Sequence, residues 1–348
     1  MRALLLLALV GCARPAGPPP ETHASASCAS CHADHGDDHA ASPHARAAAS
    51  PLLAAMLPEV EEAWGSFARE RCEGCHSPGH GPDDGVGCVS CHAAVGNHGT
   101  SDGRLAIDLE APVGGPGESP HAPHPVAARG FLRAPELCGT CHELTGPRLA
   151  VEPTFTEFLA SPQAAEGATC ASCHMPAREG RRDHRFVGFD PPWGAGPEEA
   201  ARSADDTLAL LQAALRLDVR RDGDALEIAV TNVGAGHAVP TGAAFLRDLW
   251  VDVEVGAEGG GGVVASRVIT LGDQPMRGDR PVPLLTRADR VEPGSLPAGA
   301  TRRARIAWPR PEPASVVLRG RAVRLPVLDA LGLRRLEPEL PVHEIARR

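Results

Sequence analysis

The stretch Cys28-Ala-Ser-Cys-His32 places two cysteines three positions apart and a histidine directly after the second. The same Cys-x-x-Cys-His spacing recurs at Cys72–His76, Cys88–His92, Cys138–His142 and Cys170–His174. These five copies use ten of the eleven cysteines in the chain. Because they are spread over the first half of the chain, the groups that they bind decide how that half folds.

The Cys-x-x-Cys-His motif is the attachment signal of a c-type haem. Its thiols form thioethers with the porphyrin vinyl groups, and its histidine becomes the proximal ligand of the iron. A zinc site does not need a histidine always at the next residue, and a disulfide framework would not repeat one spacing five times. We therefore expect five covalently attached haems c. The attachment residues are Cys28, Cys31, Cys72, Cys75, Cys88, Cys91, Cys138, Cys141, Cys170 and Cys173, and the proximal ligands are His32, His76, His92, His142 and His174.

Residues 1–12 have the pattern of a bacterial lipoprotein signal peptide. Arg2 gives a positive start, and the apolar run after it is too short to span a bilayer. The run ends at Cys12, which would be lipidated; the alternative is a secretory peptide with a stray thiol. Ala13, where an aspartate would favour retention in the inner membrane, favours the outer membrane. We expect an exported outer-membrane lipoprotein, facing the periplasm or the cell surface, with a Pro-rich tether at residues 13–22.

Residues 23–195 form the predicted haem domain, which is rich in glycine, proline and histidine and therefore in loops. Two short helices are expected there, one at Pro58–Arg71 that leads into Cys72 and one at Glu152–Ala160. The chain has seven Phe, four Trp and no Tyr, fewer aromatic residues than a core of this size normally uses. Five porphyrins could supply the missing flat apolar groups.

Residues 196–212 are predicted to form a connecting helix, and residues 213–348 a β-sandwich of immunoglobulin-like type. Apolar and polar residues alternate along Leu215–Val219 and Leu249–Val255, and Asp222-Gly223 is typical of a hairpin turn. We expect six or seven strands in this domain, which has no cysteine and so attaches no haem. The predicted fold class is therefore α+β, with an irregular haem domain of few short helices before the sandwich.

Each iron of an electron carrier needs a sixth ligand, and eleven of the sixteen histidines are not proximal. The chain has no lysine, which excludes a lysine ligand. Methionine is disfavoured because only Met56 and Met276 lie away from the signal and from a proximal histidine. We therefore expect two histidines on each iron, which gives lower potentials than a methionine ligand does.

The run from Cys138 to Gly188 resembles the multihaem cytochromes c related to the nitrifier tetrahaem cytochrome and the octahaem hydroxylamine oxidoreductases. It contains Glu-Pro-Thr-Phe-Thr-Glu-Phe-Leu-Ala-Ser-Pro and then Cys-Ala-Ser-Cys-His-Met-Pro. Ser42–Ala45 is similar too, as is the Gly-rich stretch Asn232–Gly242, which resembles a motif of such cytochromes with a C-terminal β-domain. The resemblance implies distal ligand roles for His44, His184 and His237.

Two further distal candidates complete the set that five irons need. They are His98 and one of His121 and His124. If His237 is a ligand, the β-domain is docked on the haem domain and is not merely tethered to it.

The charge of the chain is uneven. Residues 1–200 contain 13 arginines and 25 acidic residues, whereas the remaining residues contain 21 arginines and 19 acidic residues. An acidic first half disfavours nucleic acid and favours basic partners. A solvated acidic face without a partner is the alternative. The sequence gives no indication of the oligomeric state.

The leading hypothesis is a membrane-anchored pentahaem cytochrome c that carries electrons between respiratory partners, such as other cytochromes or redox proteins. The alternative is a multihaem redox enzyme, a reductase of nitrogen or sulfur oxyanions, with one open haem. Two known catalytic haems are absent: without tyrosine there is no tyrosine crosslink, and without lysine there is no Cys-x-x-Cys-Lys site. A third hypothesis makes the β-domain a docking module for a partner.

Overall fold

A computed structural model of the protein describes residues 24–79, 84–115, 117, 122–145, 150–256 and 262–348. The predicted signal peptide with Cys12, the tether and His121 lie outside the described residues. Among the helices that are described, none is both long enough and apolar enough to cross a membrane.

Short helices form most of the regular structure in the first half, and each Cys-x-x-Cys-His motif begins within one. The described helices are α1 Ser25–Ala29, α2 Ala33–Ala40, α3 Pro51–Trp64, α4 Ser66–His76, α5 Cys88–His92, α6 Pro135–Gly139, α7 Thr154–Leu159, α8 Pro162–Ala165, α9 Cys170–His174, α10 Pro197–Ala214 and α11 Leu325–Ala330. The predicted second short helix corresponds to α7, and the predicted connecting helix corresponds to α10.

The single helix predicted at Pro58–Arg71 is wrong, because α3 and α4 occupy this region. Gly65 separates them with φ +87°, a left-handed conformation that glycine adopts without a steric penalty. Pro58 lies inside α3, whose first turn is capped where the Ser50 hydroxyl accepts a hydrogen bond from the Leu53 N–H at 3.4 Å. As expected, α4 continues directly into the second motif.

Short two-stranded sheets connect the helices of the first half. The strands are β1 Ala94–Asn97, β2 Leu105–Ile107, β3 Val113–Gly115, β4 Val126–Ala128, β5 Leu144–Thr145, β6 Ala150–Glu152, β7 Ala177–Arg178 and β8 Arg181–Arg182. They pair in sequence order, and the β3–β4 pair is parallel. Much of the backbone in this half runs in loops between these small sheets.

Longer strands follow α10. They are β9 Leu215–Asp222, β10 Ala225–Asn232, β11 Asp248–Val255, β12 Val263–Leu271, β13 Gln274–Arg277, β14 Arg280–Pro281, β15 Arg290–Glu292, β16 Thr301–Ala307, β17 Ala314–Arg321 and β18 His343–Arg347. The sheets have the strand orders β16-β10-β9, β12-β11-β17-β18 and β14-β13-β15. Asp222 pairs with Ala225 across the predicted hairpin turn. The described strands outnumber the six or seven predicted for this part of the chain.

The β9-containing and β11-containing sheets share one hydrophobic core. Leu217, Ile228, Val251 and Leu318 belong to it and are at most 1% exposed. Burying each of these side chains stabilises the fold by about 1.5–3 kcal/mol. With few helices, many strands and open sheets, the α+β class with irregular segments is confirmed.

The opposite face of β11 carries a buried polar network. The carboxylate of Asp252 accepts hydrogen bonds from Trp250 Nε1 at 2.7 Å, from the Ser266 hydroxyl at 2.6 Å and from Arg319 at 2.8 Å. Arg319 also pairs with Glu254. Trp250, Asp252 and Glu254 alternate along β11 with the apolar residues of the core. One face of the strand is therefore polar and the other apolar.

A second apolar cluster joins the two halves of the chain. Leu52 of α3 packs there with Phe245, Leu284 and Leu328. The first half therefore packs directly against the segment that contains the long strands.

Candidate cofactor sites

The five motifs have a common local geometry. In an α-helical turn, positions i, i+3 and i+4 lie on one face, so two thiols and an imidazole point the same way. The backbone confirms the turn: the His32 N–H donates to the Cys28 carbonyl at 2.9 Å, and the His142 N–H donates to the Cys138 carbonyl at 2.8 Å. Each motif thus presents two nucleophilic sulfurs beside one imidazole.

Backbone carbonyls orient three of the motif histidines. A carbonyl can only accept a hydrogen bond, so the neighbouring Nδ1 carries the proton and Nε2 keeps its lone pair for a metal. The Nδ1–carbonyl distances are 3.0 Å from His76 to Ala47, 2.8 Å from His92 to Gly114 and 2.6 Å from His174 to Val187. This is the tautomer that a proximal ligand with Nε2 on the iron requires.

His142 differs, because its Nδ1 lies 3.2 Å from a carboxylate oxygen of Glu152. Burial alone would lower the pKa of His142, but the hydrogen bond and the negative charge of Glu152 outweigh it and raise the pKa. The Glu152 side chain is only 20% exposed. A charged acceptor therefore orients the fourth motif histidine.

Four of the five motif histidines face another histidine ring. The distances between ring centres are 6.4 Å for His32 and His124, 6.3 Å for His92 and His184, 6.2 Å for His142 and His44, and 6.1 Å for His174 and His237. The partners are four of the histidines that were expected as distal ligands. They come from loops remote in sequence from the motifs that they face.

These separations fit an iron between two imidazoles. A ligating imidazole nitrogen lies about 2 Å from a transition metal and about 1 Å from its own ring centre, which puts two axial rings roughly 6 Å apart. The interplanar angles are 21° for the His92 pair and 20° for the His174 pair. The residues present thus fit a haem whose axial ligands are two histidines, with two thiols at hand for covalent attachment.

Burial favours the neutral form of four of these histidines, and the neutral form is the one that binds a metal. Burial, together with the charges of nearby histidines, lowers the pKa of His44 to about 3. Burial likewise lowers the pKa of His174, His184 and His237. Among the described residues, the buried Nδ1 of His44 has no hydrogen-bond partner, and the centre of the Phe186 ring lies 4.3 Å from the centre of the His44 ring.

The remaining histidines have different surroundings. The described residues place no second imidazole opposite His76, and His98 lies exposed at the end of the β1 strand. His35 is a second neighbour of His32, with ring centres 6.3 Å apart. His39 is buried, with its Nε2 2.9 Å from the carbonyl of Val86.

The loop that carries His237 is fastened to α7. Glu157 accepts a hydrogen bond from the Ala238 N–H at 3.1 Å and another from the Thr241 hydroxyl at 2.8 Å. Burial of this carboxylate raises its pKa. These contacts bring His237, from the segment with the long strands, against His174 of the fifth motif.

Thiols of different motifs lie side by side. Three pairs of thiols shift each other's pKa and are therefore neighbours: Cys28 with Cys88, Cys75 with Cys141, and Cys138 with Cys170. The first motif therefore adjoins the third, the second adjoins the fourth, and the fourth adjoins the fifth. Spatial order and sequence order of the motifs differ.

Over the described part of the chain, no three side chains of His, Cys, Asp or Glu converge as a direct metal site. The possible ligand nitrogens come instead in the facing pairs described above.

Sequence reasoning missed the groups that orient the histidines. The carbonyls of Ala47, Gly114 and Val187 have no signature, since every residue has a carbonyl. Glu152 could have been noticed, because it opens the Glu-Pro-Thr-Phe-Thr-Glu run, but no spacing rule links it to His142. Sequence reasoning also missed Phe186, which has φ +51° and packs against His44.

The chain has the fold of a solved protein over nearly its whole length. That protein is described as a penta-heme cytochrome c552 from Thermochromatium tepidum; the TM-score is 0.69 at 19% sequence identity, and the match covers 93% of this chain and 97% of the other. No protein-family model matches the chain, and no curated protein does either. The likeness at this identity establishes the fold.

Proposed function

We propose that the protein is a pentahaem cytochrome c that transfers electrons. The observation that carries the proposal is the facing of four motif histidines by a second imidazole at 6.1–6.4 Å. The five attachment motifs and the fold shared with a penta-heme cytochrome c552 support it. The haem supplies the redox chemistry when bound, and the chain sets ligands, spacing and surroundings.

The facing rings support the following proposed set of ligands. All ten motif cysteines attach porphyrin, and the five motif histidines are proximal. His184 is the distal partner of His92, His44 that of His142 and His237 that of His174, while His124 serves His32 with His35 as the competing ligand. His98 and His121 remain the candidates for the site of His76.

The thiol neighbours give a proposed electron path. It runs from the first site to the third, because Cys28 adjoins Cys88 and the ring centres of His35 and His184 are 4.9 Å apart. It continues to the fourth site, because Asn97, five residues after His92, donates a hydrogen bond to the hydroxyl of Thr140 in the fourth motif at 2.9 Å. From there it divides toward the second and fifth sites. The fourth site is the junction of the proposed path.

The remaining expectations complete the proposal. Cys12 would anchor the protein at the outer membrane on the exported side, and the acidic first half would favour basic redox partners. The segment after α10 would be an immunoglobulin-like sandwich that docks on the haem domain and donates His237. Glu157 and the shared apolar cluster around Leu52 support this docking.

Purified holoprotein tests the proposal. Intact mass should exceed the apoprotein mass by five haems, and the pyridine haemochrome should show haem c with two thioether bonds. A Cys→Ala variant at one motif should lose one haem from this count. A holoprotein without covalent haem would refute the proposal outright.

A second candidate function is redox catalysis at the second site. It is favoured by one observation: the described residues place no imidazole opposite His76. Carbon monoxide added to the dithionite-reduced protein separates the two. An unchanged spectrum leaves a carrier with every iron six-coordinate. Binding by one haem would favour an oxyanion reductase if it disappears in a variant with Cys72 and Cys75 replaced by alanine, which lacks the second haem.

A further inference from the structure

The contact between Glu152 and His142 distinguishes the fourth site from the others. At the second, third and fifth sites the acceptor for the histidine Nδ1 is a neutral backbone carbonyl. At the fourth site it is a carboxylate at 3.2 Å. Because the motifs are otherwise alike, this difference must come from the segment that supplies the acceptor.

Two features hold Glu152 in place. It ends β6, which pairs antiparallel with β5 just after the fourth motif. On its other side lies Gly242, where a Cβ atom would come within 3.2 Å of the Glu152 Oε1 atom. Gly242 has φ +69°, so both its backbone conformation and its close approach favour glycine. The carboxylate is thus confined between His142 and the loop that carries His237.

Among the described residues, no arginine contacts the carboxylate of Glu152. The negative charge of Glu152 does act on Arg247, because it contributes to raising the pKa of that arginine. Arg247 donates two hydrogen bonds to Asp190, at 2.6 and 2.7 Å. Its charge is therefore shared first with Asp190, and His142 keeps a negatively charged acceptor.

We propose that Glu152 is a positioning residue that makes the fourth haem the most strongly reducing of the four for which the Nδ1 acceptor is known. The inference rests on the proposed function. A carboxylate bonded to the Nδ1–H of an axial histidine makes that ligand more basic and favours the oxidised iron. Since the fourth site is the proposed junction, its potential would govern how electrons divide between the second and fifth sites.

Glu152→Gln tests the proposal, because glutamine keeps an oxygen that can accept from His142 but removes the charge. In a spectroelectrochemical titration, one of the five haems should become easier to reduce, with about a tenfold higher ratio of reduced to oxidised form at a given potential. For a one-electron couple this is about 59 mV. The other four potentials should stay within error.

Glu143→Gln is the matched control. Glu143 is the residue after His142, yet its carboxylate accepts from the Thr156 backbone N–H and hydroxyl, at 3.0 and 2.8 Å. An equal shift in E143Q would mean that any nearby charge suffices and would overturn the positioning role. No shift in E152Q would overturn the proposal directly.

Haem content distinguishes the possible failures. Wild-type protein without five covalent haems refutes the proposed function. Wild-type protein with five haems and E152Q with four would assign Glu152 to cofactor insertion, and the potential-setting role would be wrong. The electron paramagnetic resonance signals of E152Q should show that the fourth iron keeps both histidines.

Discussion

At the scale of single residues, the second nitrogen of a histidine decides how well the ring serves as a ligand. The sequence predicts which histidines follow the thiols, but the acceptors at their Nδ1 atoms come from distant segments. Val187 shows the economy of this arrangement: its carbonyl orients His174 at 2.6 Å, while the preceding Phe186 packs on His44 and His184. One short segment therefore contributes to three sites.

Replacing His237 with alanine should open one iron and leave four unchanged. The facing ring of His174, 6.1 Å away, would lose its partner. In the reduced variant, carbon monoxide should bind about one haem in five, because only an iron without a sixth ligand is open. Absorption spectra before and after the gas measure this stoichiometry.

His343→Ala is the control for this variant. It lies in β18 with its ring 6.1 Å from Phe189, away from the motifs. It should not change the response of the protein to carbon monoxide. An H237A protein that binds no more carbon monoxide than wild type would remove His237 from the ligand set.

At the scale of elements, the break between α3 and α4 positions the second motif. A continuous helix was expected because the apolar residues of the region fit one helical pattern. Gly65 interrupts it with φ +87°, and the bend brings Arg69 of α4 within 3.3 Å of Glu61 of α3. The sequence could not specify this, since glycine inside a helical pattern is also compatible with an unbroken helix.

Gly65→Ala should lower the free energy of unfolding by about 1–2 kcal/mol. No atom of the described residues would obstruct the added methyl group, so the effect would come from the left-handed backbone, which is unfavourable for alanine. Urea denaturation followed by circular dichroism measures it. Gly196→Ala, at φ −66° and also in open space, should be neutral or stabilising by up to about 1 kcal/mol.

Asp252→Asn should weaken the sheet that contains β11 in a pH-dependent way. Burial alone would raise the pKa of Asp252, but its hydrogen bonds from Ser266, Arg267, Trp250 and Arg319 outweigh it and hold the pKa below 3.8. Stability from a depressed carboxyl pKa is fully present above the unfolded value and is lost as the pH falls through the folded value. At pH 7 the free energy of unfolding of the variant should be about 1–3 kcal/mol lower than that of the wild type.

The difference in the free energy of unfolding between wild type and D252N should therefore decrease as the pH falls below about 3.9. Asp218→Asn is the control, since this aspartate is 56% exposed and pairs with Arg216 at the surface. It should change stability by less than about 0.5 kcal/mol. If the difference in the free energy of unfolding between wild type and D252N stays constant down to about pH 2.5, the lowered pKa assigned to Asp252 is wrong.

At the scale of the whole molecule, the sequence predicts the features whose spacing covalent chemistry fixes, but not which distant segments the fold brings together. The motifs predict the attachment residues, and His44, His124, His184 and His237 do lie opposite motif histidines. Which faces which could not be read from the sequence, because the pairs join remote loops. The number of strands was also not predictable from the sequence, since the short strands β13–β15 have little alternation of apolar and polar residues.

The uneven charge should govern the choice of partner. Thirteen arginines against 25 acidic residues in the first 200 residues leave a net charge of −12 there. A cationic redox complex should therefore reduce or oxidise the protein faster than an anionic one at low salt. Stopped-flow rates should converge as the ionic strength approaches about 1 M, where the screening length is about 3 Å. Equal rates at low salt would mean that the acidic face plays no part in encounter.

The neighbouring thiols of different motifs also bear on how the protein is made. Cys28 is a neighbour of Cys88, Cys75 of Cys141 and Cys138 of Cys170, so disulfides between motifs could form if the chain folded before its cofactors arrived. In an oxidising compartment such crosslinks would consume six of the ten attachment sulfurs. Biogenesis should therefore depend on a reductant that keeps the nascent chain open. Without it, the product should be a colourless, internally crosslinked species that regains haem attachment only after reduction.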